Sequence, residues 1–393
     1  MQEYFEILLL YPNWIKFIIV GLFVSLLIQL FYYLHYYNGI IRYNRKIKKN
    51  LIGYTTSKPP VSIIVCAKNE SENLELNLPL LLEQEYPQYE VIVVNDGSTD
   101  ESCDLLERLD KKYSNLYHTF LPMDAKYMSR KKMCLNVGIK AAHYEHLIIV
   151  DADCEPGSKK WLSNIMKNYT PETDIVLGYS DFKKKNGFLY RLIGYENLLS
   201  TMQYMGYALK GKVLRGTSRN LSYKKSSFIN NKAFSSHLNL EYGDDDLFLQ
   251  EIATSKNARI EFSPDSSTHT NRDLSFKNYM YDKERRMMTQ SRYKGYLKAL
   301  LFIDCLSKLM FIILLIGLII GAIIGKDVIL ATIAGGVFLL NFTTQCVVIN
   351  KTASILQESK FYLSILFFEL IRPLISLYVA IVKTFSKNKN TWG

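Results

Sequence analysis

The sequence predicts a mostly parallel α/β domain that is joined to transmembrane helices at both ends of the chain. Over residues 61–151, apolar strand-like runs alternate with helical patterns, which is the order of a parallel sheet with helices on both faces. Apolar stretches at residues 14–37 and beyond residue 300 are long enough to cross a bilayer. The composition agrees with this prediction. The chain is 48% hydrophobic over its 393 residues, as membrane segments require, and its net charge of +11 indicates a soluble part as well.

The N-terminal apolar stretch, residues 14–37, is expected to be a retained membrane anchor. No small-residue cleavage site follows it, so a signal peptide is not favoured. Residues 42–49 are strongly basic, and by the positive-inside rule the domain that follows is cytosolic. A buried helix of a soluble protein is the alternative for this stretch.

Polar side chains stand where three of the predicted strands end. They are Lys68, Asp96, Asp151 and Asp153. Ligands of parallel sheets bind at the carboxyl ends of the strands, so we expect these residues at one binding edge. The sequence has no Gly-x-Gly-x-x-Gly and no Walker-type loop, which argues against dinucleotide and P-loop enzymes. No motif supports nucleic-acid binding despite the basic charge.

Two of these acids, Asp151 and Asp153, are one residue apart at the end of an apolar strand. Residues i and i+2 of an extended segment point to the same face, so both carboxylates are expected to aim off the strand end together. Mg²⁺ and Mn²⁺ bind carboxylate oxygens together with substrate phosphates. The pair therefore suits a metal–diphosphate, although two solvated loop acids are the simpler alternative.

Three motifs in order resemble the nucleotide-binding half of glycosyltransferase family 2. They read VSIIVCAKNE at residues 61–70, VNDGSTD at residues 94–100 and VDAD at residues 150–153. The resemblance extends over about residues 61–298. It implies a GT-A fold and an inverting enzyme that uses a nucleotide sugar and Mg²⁺ or Mn²⁺.

The resemblance also implies a nucleoside-binding group. Asp96 is similar to the acid that hydrogen-bonds the base, usually uracil, while Ala67 and Glu70 resemble backbone and side-chain contacts to the nucleoside. The alternative for Asp96 is a helix cap or turn residue.

For the diphosphate, Asp151 resembles the acid on the ribose and metal side, and Asp153 resembles the direct metal ligand. Lys131 resembles the basic residue near the diphosphate. The family often has glycine where Arg130 stands, and a solvated lysine in the first helical turn is the alternative for Lys131.

The second half of the domain carries weaker signals. A strand is predicted at residues 174–179 and an aromatic amphipathic helix at residues 188–209. Residues 211–223 are strand-like and resemble the family segment that lines the donor sugar and acceptor. Within them, Arg219 and Asn220 are the candidates for the acceptor or diphosphate side.

Three successive acids, Asp244, Asp245 and Asp246, precede a predicted helix. Their repulsion is costly unless a cation or the helix N-terminus offsets it, and capping explains one of them. The family resemblance implies that this segment supplies the catalytic base. The register favours Asp245, and Asp244 is the runner-up.

Processive relatives carry Gln-x-x-Arg-Trp where this chain has Asp282, Arg285 and Arg286. Only Arg285 matches, so transfer of one sugar is favoured over polymer synthesis. Arg285 is expected on the diphosphate side, and a surface basic helix is the alternative.

Beyond residue 300, residues 306–324 and 328–349 are expected to span the membrane. The apolar stretch at residues 361–382 contains Glu369 and Arg372, which are spaced to pair. The orientation of this stretch and of the lysine-rich tail is left open.

The predicted parts are an anchor (1–40), a basic linker (41–60), a cytosolic GT-A domain (61–298) and a C-terminal membrane region (299–393). We expect an integral plasma-membrane glycosyltransferase whose partners are a uridine-linked sugar donor, a lipid-linked or cell-envelope glycan acceptor and membrane lipid. The alternatives are a processive synthase and a non-catalytic membrane scaffold. A nucleotidyltransferase would need a Gly-rich phosphate loop, which the sequence lacks.

Overall fold

The computed structural model describes residues 11–121, 129–272 and 274–385. The described residues fall into two compact units. The sheet unit is Tyr43–Tyr293 with Leu356–Glu358, and the helical unit is the described part of Met1–Arg42, Lys294–Ile355 and Ser359–Gly393.

The sheet unit contains the predicted parallel sheet. Its strands are β1 (Val61–Ala67), β2 (Tyr89–Asn95), β3 (Leu116–Phe120), β4 (His146–Asp151), β6 (Ile175–Gly178), β8 (Leu221–Lys224) and β9 (Ala258–Glu261). Among the described residues the order is β3-β2-β1-β4-β8-β6-β9, and only β8 runs antiparallel to its neighbours. A smaller sheet joins β5 (Cys154–Pro156), β10 (Thr268–Thr270) and β7 (Ser180–Phe182) in the order β5-β10-β7. The prediction of a mostly parallel sheet is confirmed.

The helices of the sheet unit lie between these strands. They are α3 (Ser71–Leu82), α4 (Ser102–Asp110), α5 (Arg130–Ala141), α6 (Trp161–Met166), α7 (Phe188–Ala208), α8 (Lys225–Asn230), α9 (Leu247–Ile252) and α10 (Phe276–Gln290). The Ser129 hydroxyl caps α5 by accepting from the backbone N–H of Lys132 at 3.3 Å. A Cβ at Gly138 would stand 2.7 Å from the Ile64 side chain, so glycine lets α5 approach the sheet closely.

The core of the sheet unit fills one face of the central strands. Alternate residues such as Val61, Ile63 and Val65 are fully buried against α3 and α4. Trp161 of α6 is also fully buried in this cluster. Burial of both faces of the central strands explains why they are continuous apolar runs and not alternating ones.

The helical unit consists of long apolar helices. They begin with α1 (Asn13–Tyr32), which continues through a π-helical turn (Tyr33–Tyr37) towards α2 (Gly39–Lys48), and end with α11 (Gly295–Gly325), α12 (Val328–Ile355) and α13 (Ser364–Phe385). Three described helical runs are long and apolar enough to cross a membrane, namely Asn13–Lys48, Gly295–Gly325 and Val328–Ile355.

Charged and polar side chains inside these helices are paired. Lys308 contacts Asp304 at 3.2 Å, and Tyr37 donates to the same carboxylate at 2.5 Å. The predicted pairing of Glu369 with Arg372 is confirmed, at 2.9 Å within α13. Pairing of this kind lowers the cost of charge in an apolar layer. The lysine-rich tail lies outside the described residues.

Candidate active site

A cleft of the sheet unit lies at the carboxyl ends of β4 and β7. It gathers predicted residues that are far apart in the chain, namely Asp151, Asp153, Arg219, Asp245 and Arg285. The sheet topology explains this meeting, because parallel strands deliver their following loops to one edge. One face of α7 and one face of α10 complete the walls.

Asp151 ends β4 and is held by two neighbours. The Lys131 ammonium donates to its Oδ1 at 2.8 Å, and the Ser218 hydroxyl donates to Oδ2 at 3.1 Å. Burial acts to raise the pKa of Asp151, but the charge of Lys131 outweighs it and the pKa is lowered. Asp151 is therefore an ionised carboxylate with both oxygens engaged.

Asp153 lines the same cleft with fewer protein contacts. The Cys154 thiol donates to its Oδ1 at 3.1 Å, and its backbone carbonyl accepts from the N–H of Asn271 at 3.1 Å. No cluster of three or more potential metal-ligating His, Cys, Asp or Glu residues occurs in the described ranges. A divalent ion here would thus depend on the aspartate pair and on oxygens from its substrate.

The nucleoside residues of the sequence prediction lie at the ends of β1 and β2. The backbone N–H of Asp96 donates to the carbonyl of Ala67 at 2.8 Å. Its carboxylate accepts from Nε of Arg130 at 2.5 Å. Burial, and to a lesser degree the charge of Asp153, raise the pKa of Glu70, so Glu70 lies within electrostatic reach of the aspartate pair. None of these residues lines the cleft itself.

The three successive acids occupy three different environments. Asp244 is buried, with 2% of its side chain exposed, and its carboxylate lies 3.6 Å from Arg285 and 3.9 Å from Lys131. Asp246 begins α9: its Oδ1 accepts from the backbone N–H of Leu247 at 2.6 Å. Its Oδ2 accepts from the hydroxyl of Tyr293 at 2.8 Å, and Thr289 donates to it as well.

Asp245 is the half-buried acid of this group; it lines the cleft, and its carboxylate has no hydrogen-bond partner among the described residues. Burial, reinforced by the charge of Asp244, raises the pKa of Asp245 to about 6. A carboxylate with such a pKa can accept a proton near neutral pH.

Arg285 connects α10 to the acids. Its guanidinium lies over the Tyr242 ring at 4.7 Å and pairs with Asp244. Burial acts to lower the pKa of Arg285, but the charges of Asp244 and Asp245 outweigh it and raise the pKa. Arg285 is therefore a fixed positive charge in the wall of the cleft.

The prediction that residues 211–223 are strand-like is wrong for most of their length. The strand begins at Leu221, and the preceding residues form a turn closed by the N–H of Asn220 and the carbonyl of Thr217 at 2.9 Å. Arg219 faces the cleft, whereas Asn220 does not line it. The Asn220 amide is buried and donates to the carbonyls of Tyr179 and Ser266 at 2.7 and 2.9 Å.

Sequence reasoning missed part of the cleft wall. The missed residues include Arg215, Arg272 and Arg286, together with Asn197, Ser200, Thr201 and Tyr204 of α7. The α7 residues recur at helical spacing, which predicts a common polar face on a helix otherwise read as core. No comparable sequence pattern predicts that Arg215, Arg272 and Arg286 line the cleft.

Comparison with known proteins finds a matching family model and several similar proteins. Residues 62–231 match the family described as glycosyl transferase family 2. A poly-beta-1,6-N-acetyl-D-glucosamine synthase of Staphylococcus epidermidis is 27% identical over 206 residues, which cover 50% of this chain and 44% of that protein. The synthase of the same name from Staphylococcus aureus (strain COL) is 24% identical over 277 residues, covering 67% of this chain and 60% of that protein. The chain thus spans about half of the length of these relatives.

The fold also matches a solved structure. It is that of mannosyltransferase PcManGT from Pyrobaculum calidifontis in complex with GDP-Man and Mn²⁺, at a TM-score of 0.59 and 18% identity. The match covers 95% of this chain and 100% of that chain. The sheet unit therefore has the GT-A fold.

Proposed function

We propose that this chain is an inverting, membrane-bound glycosyltransferase; the match of residues 62–231 to glycosyl transferase family 2 supports the proposal. It moves a sugar from a uridine-linked nucleotide donor to a lipid-linked or cell-envelope glycan acceptor. The observation that carries the proposal is the meeting of Asp151 and Asp153 with Asp245 in one cleft. These are the groups that a metal–diphosphate and an acceptor hydroxyl each require.

Asp245 acts as the general base. It takes the proton of an acceptor hydroxyl while that oxygen attacks the anomeric carbon of the donor sugar from the face opposite the diphosphate. The new carbon–oxygen bond forms as the bond to the diphosphate breaks, and the electron pair leaves with the nucleoside diphosphate. One displacement of this kind inverts the anomeric configuration.

Lys131 and Arg285 supply fixed positive charge. Lys131 holds Asp151 in its ionised form, and Arg285 lines the cleft beside Asp245. Both charges favour the diphosphate as negative charge develops on it. Asp244 holds both cations in place, because its carboxylate lies within 4 Å of each.

The aspartate pair fits a divalent ion, Mg²⁺ or Mn²⁺. Asp153 would hold it directly, and Asp151 would border it on the ribose side. Such an ion neutralises the charge of the leaving diphosphate. The presence of Mn²⁺ in the PcManGT complex supports this choice.

The donor base is proposed to be uracil, bound by Asp96 with Ala67 and Glu70. Arg130 donates to the Asp96 carboxylate at 2.5 Å, so it would adjoin a base bound there. The uridine-linked donor rests on the resemblance of these residues to the nucleoside contacts of the family.

Three long apolar helical runs associate the chain with a membrane. We propose that residues 1–40 and 299–393 insert into the plasma membrane, with residues 41–60 as linker. The basic residues 42–49 favour a cytosolic position for the catalytic domain, residues 61–298.

A processive polysaccharide synthase is the second candidate, because the relatives carry that activity in their names. Asp282 and Arg286 stand in place of the Gln and Trp of the processive motif, which favours single transfer. Product length distinguishes the two: a ladder of products from one acceptor supports the synthase.

Calorimetry on the detergent-solubilised full chain tests the proposal. UDP, GDP and CMP are titrated with and without Mn²⁺. We expect UDP to bind and Mn²⁺ to strengthen its binding. Binding of GDP alone would overturn the assignment of the base, and binding of no nucleotide by folded protein would favour a non-catalytic scaffold.

A further inference from the structure

Five arginines line the cleft, and they divide into two kinds. Arg272 pairs with Asp282 at 3.2 Å, and Arg285 pairs with Asp244 at 3.6 Å. Arg215, Arg219 and Arg286, which we call the arginine trio, form no ion pair with any carboxylate of the described ranges. Among the described residues, these three guanidinium groups are the arginine charges of this wall that are not paired with a carboxylate.

Two members of the trio are anchored to α7 by neutral groups. Arg219 donates from Nη2 to Oδ1 of Asn197 at 3.0 Å and lies over the Phe182 ring at 4.6 Å. Arg215 donates from Nη2 to the hydroxyl of Ser200. These contacts fix both guanidinium groups in position without neutralising them.

Some N–H groups of the arginine trio have no hydrogen-bond acceptor. Nε of Arg215 and Nη1 of Arg219 are buried with no hydrogen-bond partner among the described residues. A buried N–H of a charged group without a partner is costly, so its retention points to a ligand. Arg286 lines the cleft with part of its side chain open to solvent and part desolvated by the cleft walls, so it is accessible to that ligand.

The three like charges also act on one another. Desolvation, followed by the charge of Arg215, lowers the pKa of Arg286 to about 10. The nearby carboxylates do not relieve this repulsion by contact, because Glu196 pairs with Lys283 at 2.7 Å and Asp282 pairs with Arg272. A bound anion would relieve it.

The position of the trio relates it to the acceptor. The N–H of Gly216, next to Arg215, donates to the backbone carbonyl of Asp245 at 2.7 Å. On α10, Arg286 follows Arg285, whose partner Asp244 adjoins Asp245. The trio thus lines the same cleft as the proposed base, which must contact the acceptor hydroxyl.

We propose that Arg215, Arg219 and Arg286 bind a phosphate group carried by the acceptor, so that the acceptor is an anionic, phosphate-bearing glycan or lipid. The proposal rests on the proposed glycosyltransferase function. Guanidinium groups match the oxygens of a phosphate in bidentate geometry, and three of them can surround one phosphate. The alternative ligand with the same phosphate oxygens is the diphosphate of the donor.

Titration of inorganic phosphate into the full chain already saturated with UDP and Mn²⁺ separates the two sources. The wild type is expected to bind one phosphate. Arg286→Ala should weaken this binding at least tenfold and leave the affinity for UDP within twofold. Arg286→Lys keeps the charge and should recover part of the phosphate affinity. The matched control is Arg108→Ala, which removes an exposed arginine paired with Glu75 and should change neither affinity.

Three outcomes overturn the proposal. Absence of phosphate binding to the UDP-loaded wild type removes the acceptor site. A loss of UDP affinity in Arg286→Ala that equals the loss of phosphate affinity assigns the trio to the donor diphosphate. Equal competition by acetate indicates a carboxylate site. Failure of the wild type to bind any nucleotide is a different result, because it contradicts the proposed function itself.

Discussion

Replacement of Asp245 by asparagine is the sharpest test of the catalytic assignment. Asparagine has nearly the same shape as aspartate but cannot take a proton from the acceptor hydroxyl. General base catalysis contributes about 10²- to 10⁴-fold to a rate, so kcat should fall by that factor. The affinity for UDP and Mn²⁺ should stay within twofold, because the proposal assigns the metal and the diphosphate to Asp151 and Asp153 and not to Asp245.

The pH profile gives an independent magnitude. With a pKa of about 6, Asp245 is about nine-tenths ionised at pH 7 and about one-tenth at pH 5. The base must be ionised, so kcat/KM of the wild type should fall about tenfold as the pH falls from 7 to 5. An unperturbed aspartate, with a pKa of about 3.9, would show a tenfold fall only near pH 3.

The same shift has a consequence for stability. Since the pKa of Asp245 is raised in the folded state, this group favours folding below its ordinary value, and that contribution is lost as the pH rises through about 6. Asp245→Asn should therefore be at least as stable as the wild type at pH 8, by up to about 3 kcal/mol. Thermal unfolding at pH 4 and pH 8 measures this difference.

Asp244→Asn is the matched control. Asp244 pairs with Arg285 and Lys131, so its loss should lower stability and activity, while a fall in rate at acidic pH persists. If Asp245→Asn kept full turnover, or if Asp244→Asn alone abolished the acidic limb, the base would be Asp244 and the reasoning from cleft exposure would be refuted.

Three further variants test other parts of the structure. Asp153→Ala should reduce at least tenfold, or by about 1.4 kcal/mol, the gain in UDP affinity that Mn²⁺ confers; an unchanged gain would remove Asp153 from the metal site. Asp246→Ala should destabilise the sheet unit by about 3 kcal/mol in denaturant unfolding, since it removes a helix cap and two buried hydroxyl contacts; a change below about 0.5 kcal/mol would contradict this role. Gly178→Ala should destabilise the protein because its Cβ would lie 2.3 Å from Cγ of Asn220, whereas Gly194→Ala, with open space in α7, should be neutral or stabilising; equal effects would refute the packing argument.

The sheet and its acids could be predicted because local pattern and topology agree there. The apolar runs before Asp96 and Asp151 are buried on both faces, and parallel order brings their ends to one edge. The alternation of strands and helices over residues 61–151 was predictable as well, since Ser71–Leu82 and Arg130–Ala141 each lie between two strands.

The acceptor half could not be predicted to the same depth. The alternation of side chains in a strand cannot predict which of Arg219 and Asn220 faces the cleft, because both residues lie in a turn before β8. The different positions of the two side chains depend on tertiary contacts. Arg219 donates to Asn197 of α7, while the Asn220 amide donates to two buried backbone carbonyls. Arg215 and Arg286 belong to the cleft only because α7 and α10 pack around it, which no local pattern encodes.

The three successive acids show how the fold assigns different chemistry to identical side chains. Asp246 is used by the helix that it begins, and Asp244 is held by two cations. The two cations keep Asp244 charged next to Asp245, and the cleft partly desolvates Asp245. Burial and this neighbouring charge raise the pKa of Asp245 into the range that is useful for proton transfer. Asp244 therefore has a second role besides its ion pairs, because its charge acts on the pKa of Asp245. Removing the charge of Asp244 should lower the pKa of Asp245, and the acidic limb of Asp244→Asn should move to lower pH than that of the wild type. A limb that stayed at the wild-type position would show that burial alone sets the pKa of the base.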